Sequence, residues 1–421
     1  MARRGSPVLE YKSSEESEWL KMACALSNCR GGTLEITAED TERPPDLDEL
    51  VLAIENAVNG SIEPRPLLSV QTDPERGAAV VRVAPGPATP YLYRAKAYRQ
   101  SGTAAIEVDQ TERVRLELQG LDITFDRLPS ERQDLTFHRL GAALIEGLGL
   151  AGFNADTLRA LGLYQDGRGY DNAAALLADE NGFPVMELVR YGRDHNEIVK
   201  RERLQGVSVL EALERAEAWH RDLYVRERVT GDGQLETVEV VPLPAFRSAV
   251  ATALAQRDWL LPEPVVVTMD EHGVTVTSPG ELPSGMTMGS YLAGAPSLLR
   301  NPELATVFLR LGLVANLGSG VRSMRAAYEG SLANPMFEFG DSAVTVHLPA
   351  YDQPNLTPTE RRVLTCLVTE GPSTRARVAA ATGFAPSTAS KTLATLCAMG
   401  LAVRSGGGRS TTYHAAGTEA D

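Results

Sequence analysis

The chain has 421 residues, too many for one ordinary core, so two to four domains are expected. With 43% hydrophobic and 23% charged residues it has a soluble globular composition, and no apolar run reaches the length of a bilayer-crossing helix. A net charge of −14 excludes general coating of nucleic acid, so any such contact must be local.

The opening, Met1 to Lys12, carries two arginines with no apolar run behind them and does not read as a secretory leader, so a cytoplasmic protein is expected. "VLEYK" reads as a strand, with Ser13 and Ser14 as candidate caps for the helix that follows. In that helix Trp19, Met22, Ala23 and Leu26 fall on one face, and Gly31-Gly32 turns the chain into the strand "GTLEITAED". "DLDELVLAIENAV" reads as a second amphipathic helix with Leu47, Leu50, Val51, Ile54 and Val58 inward. Further strands are expected in "PLLSVQTD", "GAAVVRVAPG" and "KAYRQSG". Cys24, Cys29, Cys366 and Cys397 form no C-x-x-C pair, and the six histidines show no ligand spacing. They read as reduced thiols, and no metal site is expected from them.

The middle holds "YQDGRGYDN", a turn, and "EALERAEAWHRDLYVRERV", read as one long amphipathic helix with His220 at its surface or boundary. "SAVATALAQRDW" is another helix, and "NLGSGV" is a glycine loop. Gly318 and Gly320 there are candidate phosphate-approach positions, with a tight packing turn as the alternative.

The last segment has its own grammar. Thr357, Pro358 and Glu360 form a capping box with Val363, Leu364, Leu367 and Val368 as an apolar stripe, and Gly371 ends the helix. Ser373 is expected to cap a second helix that stops at Gly383, and Ser387 a third with Leu393, Leu396 and Met399 buried. "LAVRSGGGRSTTYHAA" then reads as a β-hairpin. From Pro354 onward seven Lys/Arg stand against four acids, which gives +3 there and −17 for the rest. A basic module on an acidic body points to double-stranded DNA met at one end.

Three resemblances join these observations. "LEYKSS…ACALSNCRGGTLEITAED…PYLYRAKAYRQSGT" resembles the Schlafen AlbA-type domain over about residues 8–107. That resemblance implies a metal-dependent nuclease site at Glu10, Lys12 and Glu39 or Asp40, holding Mg²⁺ or Mn²⁺ against RNA or DNA. Gly5 stands where such nucleases carry their first acid, so the cage is incomplete and Glu10 with Lys12 is expected to be an exposed strand-end pair. The stretch from about 120 to 350, with "SPGELP", "RNP" and "GSG" in order, is similar to the GHKL-related, RecG-C-terminal-like ATP-binding region. There Ser248, Thr252 and Gln256 replace the glutamate, asparagine and histidine of the family helix. Hydrolysis is therefore not expected, and ATP or ADP stays a candidate ligand. The final segment resembles a winged helix-turn-helix, which implies DNA contacts from Arg375, Arg377, Ser387, Thr388, Ser390, Lys391, Arg404 and Arg409.

The expected fold class is an α+β multidomain protein: a Schlafen AlbA-type α/β domain (1–118), a GHKL-like α/β sandwich (119–350, with a linking part 119–240 and a core 241–350) and a winged helix (355–421). The expected function is a DNA-binding transcriptional regulator acting as a homodimer. A Schlafen-type endonuclease and a nucleotide-gated DNA-binding switch are the alternatives.

Overall fold

The computed structural model describes the chain outside residues 1–7, 39–45, 193–195, 230–233, 284–285, 295–298, 317, 330, 332, 341, 352–355, 408–410 and 417–421. It is a mixed α+β protein with several sheets and, among the described residues, fourteen α-helices. None of these helices is long and apolar enough to cross a membrane. The chain forms two compact units, 1–128 with 259–261 and 283–285, and the remainder.

In the first unit the order is β1 (Val8–Lys12), α1 (Glu16–Asn28), β2 (Gly32–Thr37), α2 (Leu47–Ser61), β3 (Ile62–Glu63), β4 (Leu68–Asp73) and β5 (Ala78–Val83). There follow β6 (Leu92–Tyr93), β7 (Lys96–Ser101), β8 (Ala104–Glu107) and α3 (Gln110–Gly120). One sheet runs β1-β2-β5-β4, with β1 and β2 parallel, and a second runs β3-β6-β7-β8. Period-2 alternation turns Leu9, Leu34, Ile36 and Val81 toward Trp19, Met22, Leu26, Ile54 and Val58, which form one core. Leu47, Leu50 and Val51 are only half-buried. Neither Ser13 nor Ser14 caps α1: Glu15 holds the cap position, and its carboxylate turns back to accept from the Lys12 N–H at 2.8 Å. The motif "ACALSNCRGG" acts as cement. Asn28 Nδ2 donates to the carbonyls of Tyr91 and Tyr98 and its Oδ1 accepts from the Tyr91 N–H, while the Cys24 thiol donates to the Tyr91 carbonyl at 3.1 Å. Gly31, at φ +72°, lies so near Val83 that a Cβ would meet its carbonyl oxygen at 2.6 Å.

The second unit begins with α4 (His138–Leu148), α5 (Ala155–Ala160), β9 (Tyr164–Gln165), β10 (Gly169–Tyr170), α6 (Asn172–Leu177), β11 (Glu180–Tyr191) and β12 (Ile198–Val207). The expected turn at 164–172 is the β9–β10 hairpin. Next come α7 (Val209–Tyr224), β13 (Val225–Val229), β14 (Leu235–Glu239), α8 (Leu243–Gln256), β15 (Val265–Asp270), β16 (Gly273–Pro279), α9 (Met288–Leu292), α10 (Pro302–Arg310) and α11 (Gly320–Ala327). β17 (Met336–Phe339) and β18 (Ala343–Pro349) complete a six-stranded sheet in the order β12-β11-β15-β16-β18-β17, against which α7 and α8 pack. The long helix expected through "VRERV" ends at Tyr224, since Val225–Val229 pairs as a strand with Leu235–Glu239. His220 is wholly buried, not at a surface: it lies against Tyr224 and Phe246, with Nε2 2.8 Å from the Val241 carbonyl oxygen. Burial lowers its pKa.

The chain ends with α12 (Pro358–Glu370), α13 (Arg375–Thr382), α14 (Pro386–Ala398), β19 (Ala402–Ser405) and β20 (Thr412–Ala415). Val363, Leu364, Leu367, Val378, Ala389, Leu393, Leu396, Ala402 and Tyr413 share a small core. The capping box forms as expected, with Glu360 accepting from the Thr357 N–H and Thr357 accepting from the Glu360 N–H. Ser373 is not the second cap. Its backbone exchanges two hydrogen bonds with Tyr413, extending the hairpin, and Thr374 caps instead. Ala385 holds the third cap position with Pro386 after it, so Ser387 lies inside the helix, and Met399 is 43% exposed rather than buried.

Candidate functional site

Three places bear on function: the outer face of the first sheet, the glycine loop on α8, and the exposed side of the last three helices.

On β1, Glu10 and Lys12 are both exposed and form no ion pair with each other. In the parallel register Glu10 lies beside Glu35 on β2. Glu35 is almost fully buried, and the Arg76 guanidinium grips both its oxygens, at 2.9 and 3.1 Å, from the turn between β4 and β5. Glu35, Asp73 and Glu10 together raise the Arg76 pKa, with Glu35 the largest influence. A guanidinium thus holds the buried carboxylate next to Glu10 in the register. Sequence reasoning missed Glu35 and Arg76, because only strand register and one turn unite them. Gly5, Glu39 and Asp40 lie outside the described residues, and among those described no three metal-ligating side chains cluster.

The glycine loop is self-contained. Gly318 has φ +80°, and the Asn316 N–H donates to Ser319 Oγ, which donates back to the Asn316 carbonyl at 2.8 Å. The Ser319 N–H is spent on the same carbonyl. Gly320 begins α11 against α8 so closely that a Cβ there would lie 2.3 Å from Thr252 Oγ1. The cleft left between them measures about 50 Å³ and is lined by Thr252, Gln256, Tyr291, Leu299, Phe308 and Asn316, among others. Drug-sized ligands fill roughly 300–1,000 Å³. No lysine, arginine or carboxylate lines it among the described residues. A magnesium nucleoside triphosphate needs charge partners and room, and this lining fits neither. Ser248, expected at the position of an acid, is buried.

The charged pair that remains on α8 has a structural use. Arg257 is fully buried, donates to the Pro184 carbonyl, and has its pKa pushed down to about 10 by burial. Asp258 is paired with Arg300 at 3.0 Å, and Asn301 Nδ2 donates to the carbonyls of Ala255 and Arg257. The "QRD" and "RNP" stretches therefore tie the end of α8 to the start of α10.

At the end of the chain, Ser387, Thr388 and Lys391 are exposed on α14, Ser390 is half-buried, and Arg404 is exposed on β19. Arg375, the start of α14 at Pro386 and Thr411 line one open groove of about 710 Å³. Arg377 is exposed but paired with Glu370 at 2.8 Å, so it is not a free contact, and Arg409 lies outside the described residues. Arg362 lies over the Phe384 ring at 5.4 Å. From Gly371 to Ala416 there is no aspartate or glutamate, in a chain with 55 of them. Ala394, exposed one turn beyond Lys391, belongs to the same face and escaped notice because alanine carries no chemical flag.

Comparison with known proteins bears on the middle region. The family described as "ATP-dependent DNA helicase recG C-terminal" matches residues 263–348. That segment resembles a GHKL-like ATP-binding region. The match spans β15 to β18 and excludes α8. The crystal structure of the DIP2311 protein from Corynebacterium diphtheriae matches 97% of this chain and 91% of that one, at 20% identity and a TM-score of 0.51. At that identity the likeness concerns the fold. No curated protein matches the chain.

Proposed function

We propose that the protein is a DNA-binding transcriptional regulator that meets double-stranded DNA through a C-terminal winged helix-turn-helix made of α12–α14 and β19–β20. The observation that carries this reading is the acid-free stretch from Gly371 to Ala416, in which Arg375, Lys391, Arg404, Ser387 and Thr388 are all exposed. Lysine and arginine on one face supply phosphate contacts, and short polar side chains on a helix admit it to the major groove. Two copies reading paired half-sites is the arrangement that gives such a module useful specificity.

In this reading the first unit is a Schlafen AlbA-type domain retained for its shape. The guanidinium of Arg76 on Glu35 weighs against the nuclease alternative, since the acid beside Glu10 in the register already has a cation and is not free for a metal. The RecG-C-terminal-like region serves as a scaffold, and its small, uncharged cleft weighs against the nucleotide-gated alternative. The test is selection of bound fragments from random genomic DNA at physiological salt, using the full-length protein and its Lys391→Ala/Arg404→Ala variant. An enriched motif lost in the variant supports the reading. Equal enrichment by both, or none by either, overturns it.

A further inference from the structure

We propose that α14 reads thymine-bearing base pairs, through methyl and hydroxyl contacts from Ser387, Thr388 and Ala394, with Lys391 as its one strong donor. This inference rests on the DNA-reading proposal above and names what that face recognises.

The exposed residues of α14 are Pro386, Ser387, Thr388, Lys391, Ala394 and Ala398. Ala389, Leu393 and Leu396 point the other way, into the small core, and fix the helix rotation. Ser387, Lys391 and Ala394 are spaced four and three apart and so lie along one side. They span roughly 10 Å, about three base-pair steps. The helix contains no arginine, asparagine, glutamine, aspartate or glutamate. With lysine, those are the side chains that read guanine and adenine with two bonds or accept from cytosine, so Lys391 alone on this helix can read a guanine. What remains is of two kinds. Serine and threonine hydroxyls donate or accept and therefore tolerate several bases. The Thr388 and Ala394 methyl groups pack on apolar surface, and in the major groove only thymine offers that, at its C5-methyl.

The occupant is DNA rather than an acidic protein. The surrounding segment is basic and acid-free, which complements phosphate, and α14 itself carries none of the Trp, Tyr and Arg anchors that make a protein hot spot. Its short side chains also let the helix axis sink close to the groove floor. With Lys391 as the single two-bond reader on α14, the ratio of specific to non-specific affinity should lie at the low end of the roughly 10³–10⁷ range.

The experiment uses the full-length protein and the duplex it enriches from a random pool. Each thymine of the motif is replaced in turn by uracil, which deletes the C5-methyl and keeps base pairing, and affinity is measured by fluorescence anisotropy at fixed salt. At two or more positions uracil is expected to weaken binding about fourfold per methyl lost. Thr388→Ser keeps the hydroxyl and removes the protein's methyl, and it should erase the penalty at one of those positions. A motif without thymine, or uracil tolerated everywhere, overturns the thymine inference and leaves DNA reading intact. Absence of any enriched duplex overturns the DNA reading itself, and this inference with it.

Discussion

The glycine loop on α8 and the outer side of α14 are both built from small residues, and their fates are opposite. At the loop, Gly320 and Thr252 let α11 and α8 approach until a cleft of about 50 Å³ is left. On α14 nothing among the described residues packs over Ser387, Thr388 and Ala394, so the same kind of side chain leaves an open, approachable surface. Small residues permit close approach without saying what approaches. In the first place another part of the chain does; in the second, the charge pattern calls for an outside partner.

The largest effect that would break this comparison is on DNA affinity. Lys391→Ala with Arg404→Ala should weaken binding by about ten- to a hundredfold and lower the slope of log affinity against log salt by about two. Because both side chains are exposed, its melting temperature should match that of the parent protein. A weakened affinity with an unchanged salt slope would remove these residues from the phosphate contacts.

Closure of the cleft is tested next. Gly320→Ala should cost about 1–3 kcal/mol in denaturant unfolding, because its methyl has no room against Thr252. Adding Thr252→Ala should recover much of that loss, the non-additivity expected of touching residues. Millimolar MgATP should leave the melting temperature of the parent protein unmoved, and a clear rise would refute the reading of the cleft as too small and uncharged for a nucleotide.

His220 sharpens the picture of the core behind α8. Its pKa is lowered by burial from an ordinary value near 6.5, so the unfolded chain takes up a proton that the folded one refuses. Its stabilising contribution is complete above that value and is lost as pH falls through it, at up to about 1.4 kcal/mol per pH unit. Melting curves from pH 7.5 to 5.5 should show this loss, and His220→Phe should flatten it. The smallest effect belongs to Arg76. Arg76→Ala should lower stability slightly at neutral pH by leaving Glu35 unpaired, and Glu35→Gln in the same chain should restore it, as read by urea midpoints.

Much of the fold is legible along the chain. The apolar run in "GAAVVRVAPG" marks Ala78–Val83, the capping box marks Thr357, and glycines mark the ends of α12 and α13, because these signals act over a few residues. Local grammar misleads where a distant strand competes for the same groups. Ser373 offers a cap but its backbone belongs to the pairing with Tyr413, and Val225 ends α7 because β14 is there to pair with β13.

The sequence by itself determined the capping box at Thr357, the acid-free basic segment and the short polar face of α14, all of which are properties of neighbours in the chain. Tertiary structure alone decided that Arg76 closes on Glu35, that Gly320 fills the space beside Thr252, and that His220 turns inward. Each of those outcomes depends on contacts between segments far apart in sequence. Such contacts are set by strand register and helix packing, which no local pattern encodes.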